Sequence, residues 1–414
     1  MVSRRTISLG LLALGLSACG ATSARNLGGS SPLREAAFPA QLNPAFDTWV
    51  AGFKTRAAGQ GISQSTLNTA FAGVGFLPGV IQRDRNQTEF KRSLEDYLSI
   101  AASDERVSKG RAAYARQSGV LAEIEQRFGV ERHVVAAVWG LESFYGERRG
   151  SVPVISAVST LAFDGRRGSF FEKQLIAALR ILQNGDIPAS QMTGSWAGAM
   201  GHTQFIPTSY QAYAVDFRGD GRRDIWSEDP TDALASAASY LSRSGWRRGQ
   251  PWGVEVQLPS GFGGPFGRAT TRSPSDWAAQ GVRDMNGRAV PDHGPASILT
   301  PAGSGGPAFM VFRNFTVITR YNNAESYVIG VGHLSDRIRG GGALLASFGP
   351  DRTGLTKVDR QDLQRRLTRA GFDTEGDDGI IGPKTKSAIS GYQQQAGLAV
   401  TGEPSRDLLR RLRG

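Results

Sequence analysis

The segment VVAAVWGLESFYG, Val134 to Gly146, places one carboxylate, Glu142, behind a run of apolar residues. An ionised carboxylate in apolar surroundings is costly unless it is paired or keeps its proton. Two chemistries fit. One is a core Glu satisfied by an Arg or Lys elsewhere in the fold. The other is a carboxyl group held protonated near neutral pH and able to act as a general acid. Trp139, Leu141 and Phe144 are the neighbours that disfavour the charged form. Raising a Glu from about 4.3 to about 6 costs roughly 2 kcal/mol, which a packed helix can impose. Other catalytic signatures are missing. The four histidines (His133, His202, His293, His333) are scattered, with no HExxH for zinc. There is no G-x-S-x-G elbow, no P-loop and no dinucleotide fingerprint. A carboxylate enzyme or no enzyme remains.

The elements that must hold Glu142 are helical. FDTWVAGFKTRAAGQG, the long run from Phe90 to Val130, SFFEKQLIAALRILQNG and PTDALASAASYLSRSGW carry apolar residues at three- and four-residue spacing. Short β-rich runs among Gly and Pro, WGVEVQLPSGFGGPFG and PAFMVFRNFTVITRYN, predict a small sheet inserted at about 249–317. NAESYVIGVGHLSDRI returns to helix and closes the body. After Gly340–Gly342 and Gly349-Pro350, residues 354–414 predict three short helices with their own small core, one starting at Pro383. The expected fold class is mainly α (α+β), with a helical body at 43–346.

The first eighteen residues read as a signal: Arg4 and Arg5, then a short apolar run from Leu9 to Leu16, too short to span a bilayer. Leu16-Ser17-Ala18-Cys19 resembles a bacterial lipobox, which implies lipidation of Cys19, the sole cysteine. Ser3-Arg4-Arg5 also looks like a twin-arginine signal. Residues 19–42 are Gly/Ser/Ala-rich at their start and read as a tether. Hydrophobic residues make up 40% and charged residues 21%, a globular balance, and the net charge is +11. An exported basic chain meets acidic lipid and wall polymer. Its basic residues do not cluster with stacking aromatics, so nucleic acid is not an expected partner.

GLESFYG, GSWAGAMGHTQFIPTSYQAYAVDFRGDGRRDIW and TVITRYNNAESYVIGV, in this order, resemble the lytic murein transglycosylase B family of bacterial cell-wall enzymes. The resemblance covers most of residues 45–345. GDDGIIGPKTKSAISGYQQQAGLAVTG is similar to the three-helix peptidoglycan-binding module. The resemblance implies a lysozyme-like helical domain with one catalytic carboxyl, Glu142. In that mechanism the Glu protonates the bond between N-acetylmuramic acid and N-acetylglucosamine. It then takes the proton of the sugar's own C6 hydroxyl, leaving a 1,6-anhydro end. Ser195 and Gln204 are expected to line the cleft. Tyr97, Tyr240, Tyr321, Asn322 and Tyr327 are expected to contact sugar or orient the acid, and Arg166 and Arg167 to meet peptide or lactyl carboxylates. Two rivals stay open, a muramidase that uses water and a non-catalytic wall-binding protein. No cofactor is required.

DFRGDGRRDIWSEDPTD resembles an EF-hand calcium loop, with Asp216, Asp220 and Asp224 at positions one, five and nine and Asp232 able to close it. Arg218 at position three and Ser227 at twelve depart from the pattern. Structural Ca2+ and an internally bonded Asp-Gly turn both fit. The expected partners are peptidoglycan and, through Cys19, a membrane. The expected state is a monomer in the periplasm, anchored to the outer membrane as a lipoprotein.

Overall fold

The computed structural model describes residues 38–86, 92–303 and 305–414. The signal, Cys19 and most of the tether lie outside the described residues. The helices are α1 (Pro44–Ala58), α2 (Gln64–Phe71), α3 (Pro78–Arg85), α4 (Leu94–Ala101), α5 (Asp104–Arg116), α6 (Ser118–Phe128), α7 (Arg132–Ser143), α8 (Val154–Asp164) and α9 (Gly168–Gln183). They continue as α10 (Pro207–Tyr213), α11 (Thr231–Arg243), α12 (Pro274–Ala279), α13 (Arg313–Tyr321), α14 (Glu325–Ile338), α15 (Lys357–Arg369), α16 (Pro383–Gln395) and α17 (Arg406–Arg413). The protein is mainly helical, and its chain divides into two compact units.

The first unit holds residues 38–86, 104–249 and 316–341. Its centre is α7, whose residues Val134 to Gly140 are all buried. A helix apolar on every side belongs inside other helices, and α5, α6, α11 and α14 surround it. α8 is likewise buried from Val154 to Ala162 and packs on α9. A ring cluster of Phe46, Trp49, Phe76 and Phe163 seals α1 against α8. Two short strands, β1 (Val152–Pro153) and β2 (Thr193–Gly194), pair antiparallel and tie the segment after α7 to the loop before α10.

The second unit gathers residues 92–103, 250–315 and 342–414. Strands β3 (Gly253–Gln257), β4 (Arg283–Asp284), β5 (Ser297–Leu299) and β6 (Ala308–Val311) form an antiparallel sheet in the order β4-β3-β6-β5. It packs over Trp277, whose indole N–H donates to Ala296 O at 2.9 Å. The C-terminal helices close on Leu355, Leu363, Leu367, Ile389, Leu408 and Leu409. α15 begins on a capping box, Thr356 with Asp359, and α16 begins at Pro383.

This C-terminal core holds a buried cation, Arg360, 2% exposed. Its guanidinium donates to Gly379 O at 2.7 Å, Asp351 at 2.8 Å, Asp96 at 2.8 Å and Glu95 at 3.0 Å. Two of these carboxylates come from α4, more than 260 residues earlier in the chain. α15 is therefore clamped to α4 by a charge that could not otherwise be buried. Removing one member of a buried ion pair strands the others, typically at about 3–5 kcal/mol. Arg360→Met is expected to lower stability by about 3 kcal/mol at neutral pH, read from urea unfolding, and by less at about pH 4, where the stranded carboxyls take up protons.

Candidate active site

The C-terminal end of α7 is an unusual turn. Phe144 and Tyr145 both adopt left-handed conformations, with φ 53° and 60°, which costs an L-residue roughly 1–2 kcal/mol each. Packing offsets that cost. The Tyr145 ring lies between α5 and α7, and its hydroxyl donates to Arg106 O at 2.9 Å. A Cβ on Gly140 would sit 2.6 Å from that hydroxyl, so only glycine admits the ring. Phe144 is buried beneath the cations of Arg106, Lys109 and Arg148, 4.6–5.0 Å from its ring centre. The turn reverses the chain immediately after Glu142.

The Glu142 carboxyl is surrounded by protein, although the residue keeps a partly exposed face. Burial pushes its pKa up to about 7, against the pull of one hydrogen bond. That bond comes from Tyr327 on α14, whose hydroxyl donates to Oε1 at 2.5 Å. With Oε1 accepting, the acid proton belongs on Oε2. Neither a cation nor a second carboxylate is among the causes of the shift. At neutral pH the group is poised to give and recover a proton.

Tyr321 donates to Thr203 O at 2.6 Å, beside Gln204, and burial holds its phenol protonated, with an ionised Glu142 adding to that effect. Its ring lies 4.9 Å from that of Tyr240, with Phe205 against both. Tyr240 donates to Arg320 O at 2.5 Å. Asn322 is buried and accepts from the Ala324 N–H at 3.0 Å, in the turn that leads into α14. Ser195 closes a tight turn, accepting from Ala199 N at 3.1 Å. Gln204, at φ 52°, donates to Arg149 O at 3.0 Å and Gly201 O at 2.8 Å, joining its loop to the segment after α7. Tyr327 and Tyr321 are thus brought to Glu142, and Tyr240 and Gln204 to their partners.

Arg166 and Arg167 both bind the buried carboxylate of Asp84, Arg166 at 2.8 Å through Nε. Tyr97 is buried on α4, in the second unit. In the Asp-rich loop each carboxylate caps backbone. Asp216 accepts from Gly219, Asp220 and Gly221, and Asp220 from Arg222. Asp224 accepts from Trp226 and Ser227, and Asp232 from Phe217 and Asp224. Among the described residues no three His, Cys, Asp or Glu converge on a point that could hold a metal ion. These bonds to its own N–H groups hold the shape of the loop. Sequence reasoning assigned nothing to Asp84, Tyr145 or His202. Of these, Tyr145 and His202 fall inside motifs, GLESFYG and GAMGHTQF, that already pointed to the site.

A protonated, helix-borne carboxyl in a helical body, followed by a compact helical module, defines a glycosidase-like class of acid enzyme. Residues 45–336 match the model of the transglycosylase SLT domain, and residues 356–412 that of a peptidoglycan binding domain. The chain is 33% identical over 249 residues to membrane-bound lytic murein transglycosylase B of Escherichia coli (strain K12). That match covers 58% of this chain and 66% of the relative, just under two thirds of its length. Among solved structures it is similar to SltB3 from Pseudomonas aeruginosa in complex with NAG-NAM-pentapeptide, at 45% identity and TM-score 0.73, covering 89% of this chain and 100% of that one. It is also similar to the Escherichia coli lytic transglycosylase Slt35 in complex with bulgecin A, at 28% identity and TM-score 0.61, covering 72% and 93%. The chain belongs to the transglycosylase SLT family of lytic transglycosylases.

The raised pKa makes Glu142 a stability liability. The folded state binds its proton more tightly than the unfolded chain, so stability falls as pH rises from about 4.5 to about 7. Glu142→Gln keeps the Tyr327 bond and removes the titration. Its unfolding free energy is expected to match wild type near pH 4 and to exceed it by roughly 3 kcal/mol at pH 8, read by denaturant titration at both pH values.

Proposed function

We propose that this chain is a lytic transglycosylase that cleaves the β-1,4 bond between N-acetylmuramic acid and N-acetylglucosamine, with Glu142 as the sole acid and base. The observation that carries this is a carboxyl raised to about 7 by burial, held by a neutral hydroxyl and influenced by no second carboxylate. Glu142 gives its proton to the glycosidic oxygen as the C1–O bond breaks, with the electron pair leaving on that oxygen. The cationic centre at C1 is steadied by the muramic 2-acetamido group. The C6 hydroxyl of the same sugar then attacks C1, and its proton returns to Glu142. Atoms and protons balance without water, and the tethered nucleophile has a large effective molarity. A muramidase would need a second group to hold a water.

Ser195, Gln204, Tyr97, Tyr240, Tyr321, Asn322 and Tyr327 remain the substrate-facing set of this proposal. In it Arg166 and Arg167 meet substrate carboxylates only through the faces that Asp84 leaves open. The C-terminal module holds the polymer. The chain acts as an exported cell-envelope monomer, with Cys19 as its lipid anchor at the outer membrane. The similarity to a membrane-bound relative supports an envelope location.

Glu142→Gln should lower turnover by about 10²–10⁴-fold while sacculus binding persists. Wild-type digests should end in 1,6-anhydro-N-acetylmuramic acid and, in ¹⁸O-water, carry no label at the new end. Labelled reducing ends as the main product would move the enzyme to the muramidase class. A second outcome tests the acid's environment. Tyr327 stabilises the charged form, so its loss raises the Glu142 pKa further. Tyr327→Phe should therefore shift the alkaline fall of kcat/KM to higher pH, read from a pH–rate profile on purified glycan strands.

A further inference from the structure

His202 takes no part in the proton transfers above, yet its buried imidazole joins segments that meet at Glu142. The Trp139 indole N–H, on α7 one turn before Glu142, donates to its Nδ1 at 3.1 Å. Its Nε2 lies 2.7 Å from Ser227 O in the Asp-rich loop. The backbone is committed as well: His202 O accepts the Ser143 hydroxyl at 2.6 Å, and His202 N–H donates to Ile225 O at 3.0 Å. The ring lies directly against the turn that follows Glu142. A Cβ on Gly146, at φ 91°, would stand 2.5 Å from it.

The indole contact assigns the tautomer. An indole N–H only donates, so Nδ1 must be bare, and a neutral ring carries its proton on Nε2 and donates to Ser227 O. The charged groups facing the ring are Arg149, from the segment after α7, and Asp224 and Glu228, from the Asp-rich loop; Trp139 of α7 is neutral. Arg149 is paired with Glu228, donates to Ser227 O at 2.9 Å, and brings Nη1 to 3.1 Å from Nε2, where an Nε2–H leaves it no lone pair to donate to. A second proton could go only onto Nδ1, head-on to the indole N–H. Burial opposes that protonation, with Arg149 adding to it.

We propose that His202 is a positioning residue of the reaction: as a neutral, Nε2-protonated imidazole it fixes the last turn of α7, and so the Glu142 carboxyl, against the loop that carries Ser195 and Gln204. The proposal rests on Glu142 being the acid. A displacement of about 1 Å at a reacting group can cost on the order of 10²-fold in rate.

The test uses the full chain on purified glycan strands. His202→Phe keeps a ring and loses both side-chain bonds. His202→Asn keeps an acceptor where Nδ1 accepts from Trp139 and cannot be protonated. The Phe variant should lose about 10–100-fold in kcat with KM held within about threefold, and the Asn variant should recover kcat to within about fivefold of wild type. Wild-type kcat should fall on the acid side, below the ordinary imidazole range, and the Asn variant should lack that fall. A Phe variant within about threefold of wild-type kcat, or an acid fall that persists in the Asn variant, overturns the proposal. Should the Phe variant not fold, the Asn pH profile decides alone. Failure of the Glu142 reading would show instead as turnover retained by Glu142→Gln.

Discussion

The structure depends on keeping one carboxyl group protonated inside a protein. An acid meant to give up a proton near neutrality must be denied both water and a cation, and those two demands pull against folding. Around Glu142 they are met by a helix buried on every side and by one neutral donor, Tyr327. The hydroxyl satisfies a polar atom without neutralising a charge. An arginine in its place would lower the pKa and end the group's use as an acid.

A chain with net charge +11 must also keep its own cations away. Arg106, Lys109 and Arg148 rest on the Phe144 ring, Arg149 pairs with Glu228, Arg166 and Arg167 share Asp84, and Arg223 holds Asp186. None of them contributes to the Glu142 shift. The left-handed turn at Phe144 and Tyr145 belongs to the same design. It sends the chain away from the acid at once and places an aromatic ring where those cations can settle.

Arg360 illustrates the opposite solution to the same physics. It too is buried, but a guanidinium cannot shed its charge, so the fold supplies carboxylates from the neighbouring Asp351 and from the distant α4. The result is a C-terminal module whose core is tied to α4. In the Asp-rich loop, carboxylates instead stay near the surface and bind their own backbone, which gives a rigid turn from a sequence that resembles a calcium loop.

The residues alone determined the helical texture, the inserted sheet and the start of α16 at Pro383, because periodicity, proline and glycine act locally. The run PAFMVFRNFTVITRYN, read as β-rich, is strand only at Ala308–Val311 and helix at Arg313–Tyr321, where β-branched and aromatic residues are held helical by tertiary packing. The residues also drew attention to Glu142, because a lone carboxylate in an apolar run is costly in any fold, but a core Glu and a general acid both fitted until the family resemblance was added. Tertiary structure decided which partners that cost required. Tyr327 reaches Glu142 across 185 residues, Asp84 captures the Arg166–Arg167 pair across more than 80, and Arg360 finds α4 across more than 260. No local pattern encodes such pairings. They follow from which helices pack together, and burial then makes each unpaired polar atom too costly to leave alone. His202 shows the limit most plainly. Its motif was visible in the chain, but its protonation state and its work are set by an indole, a carbonyl and a glycine brought around it by the fold.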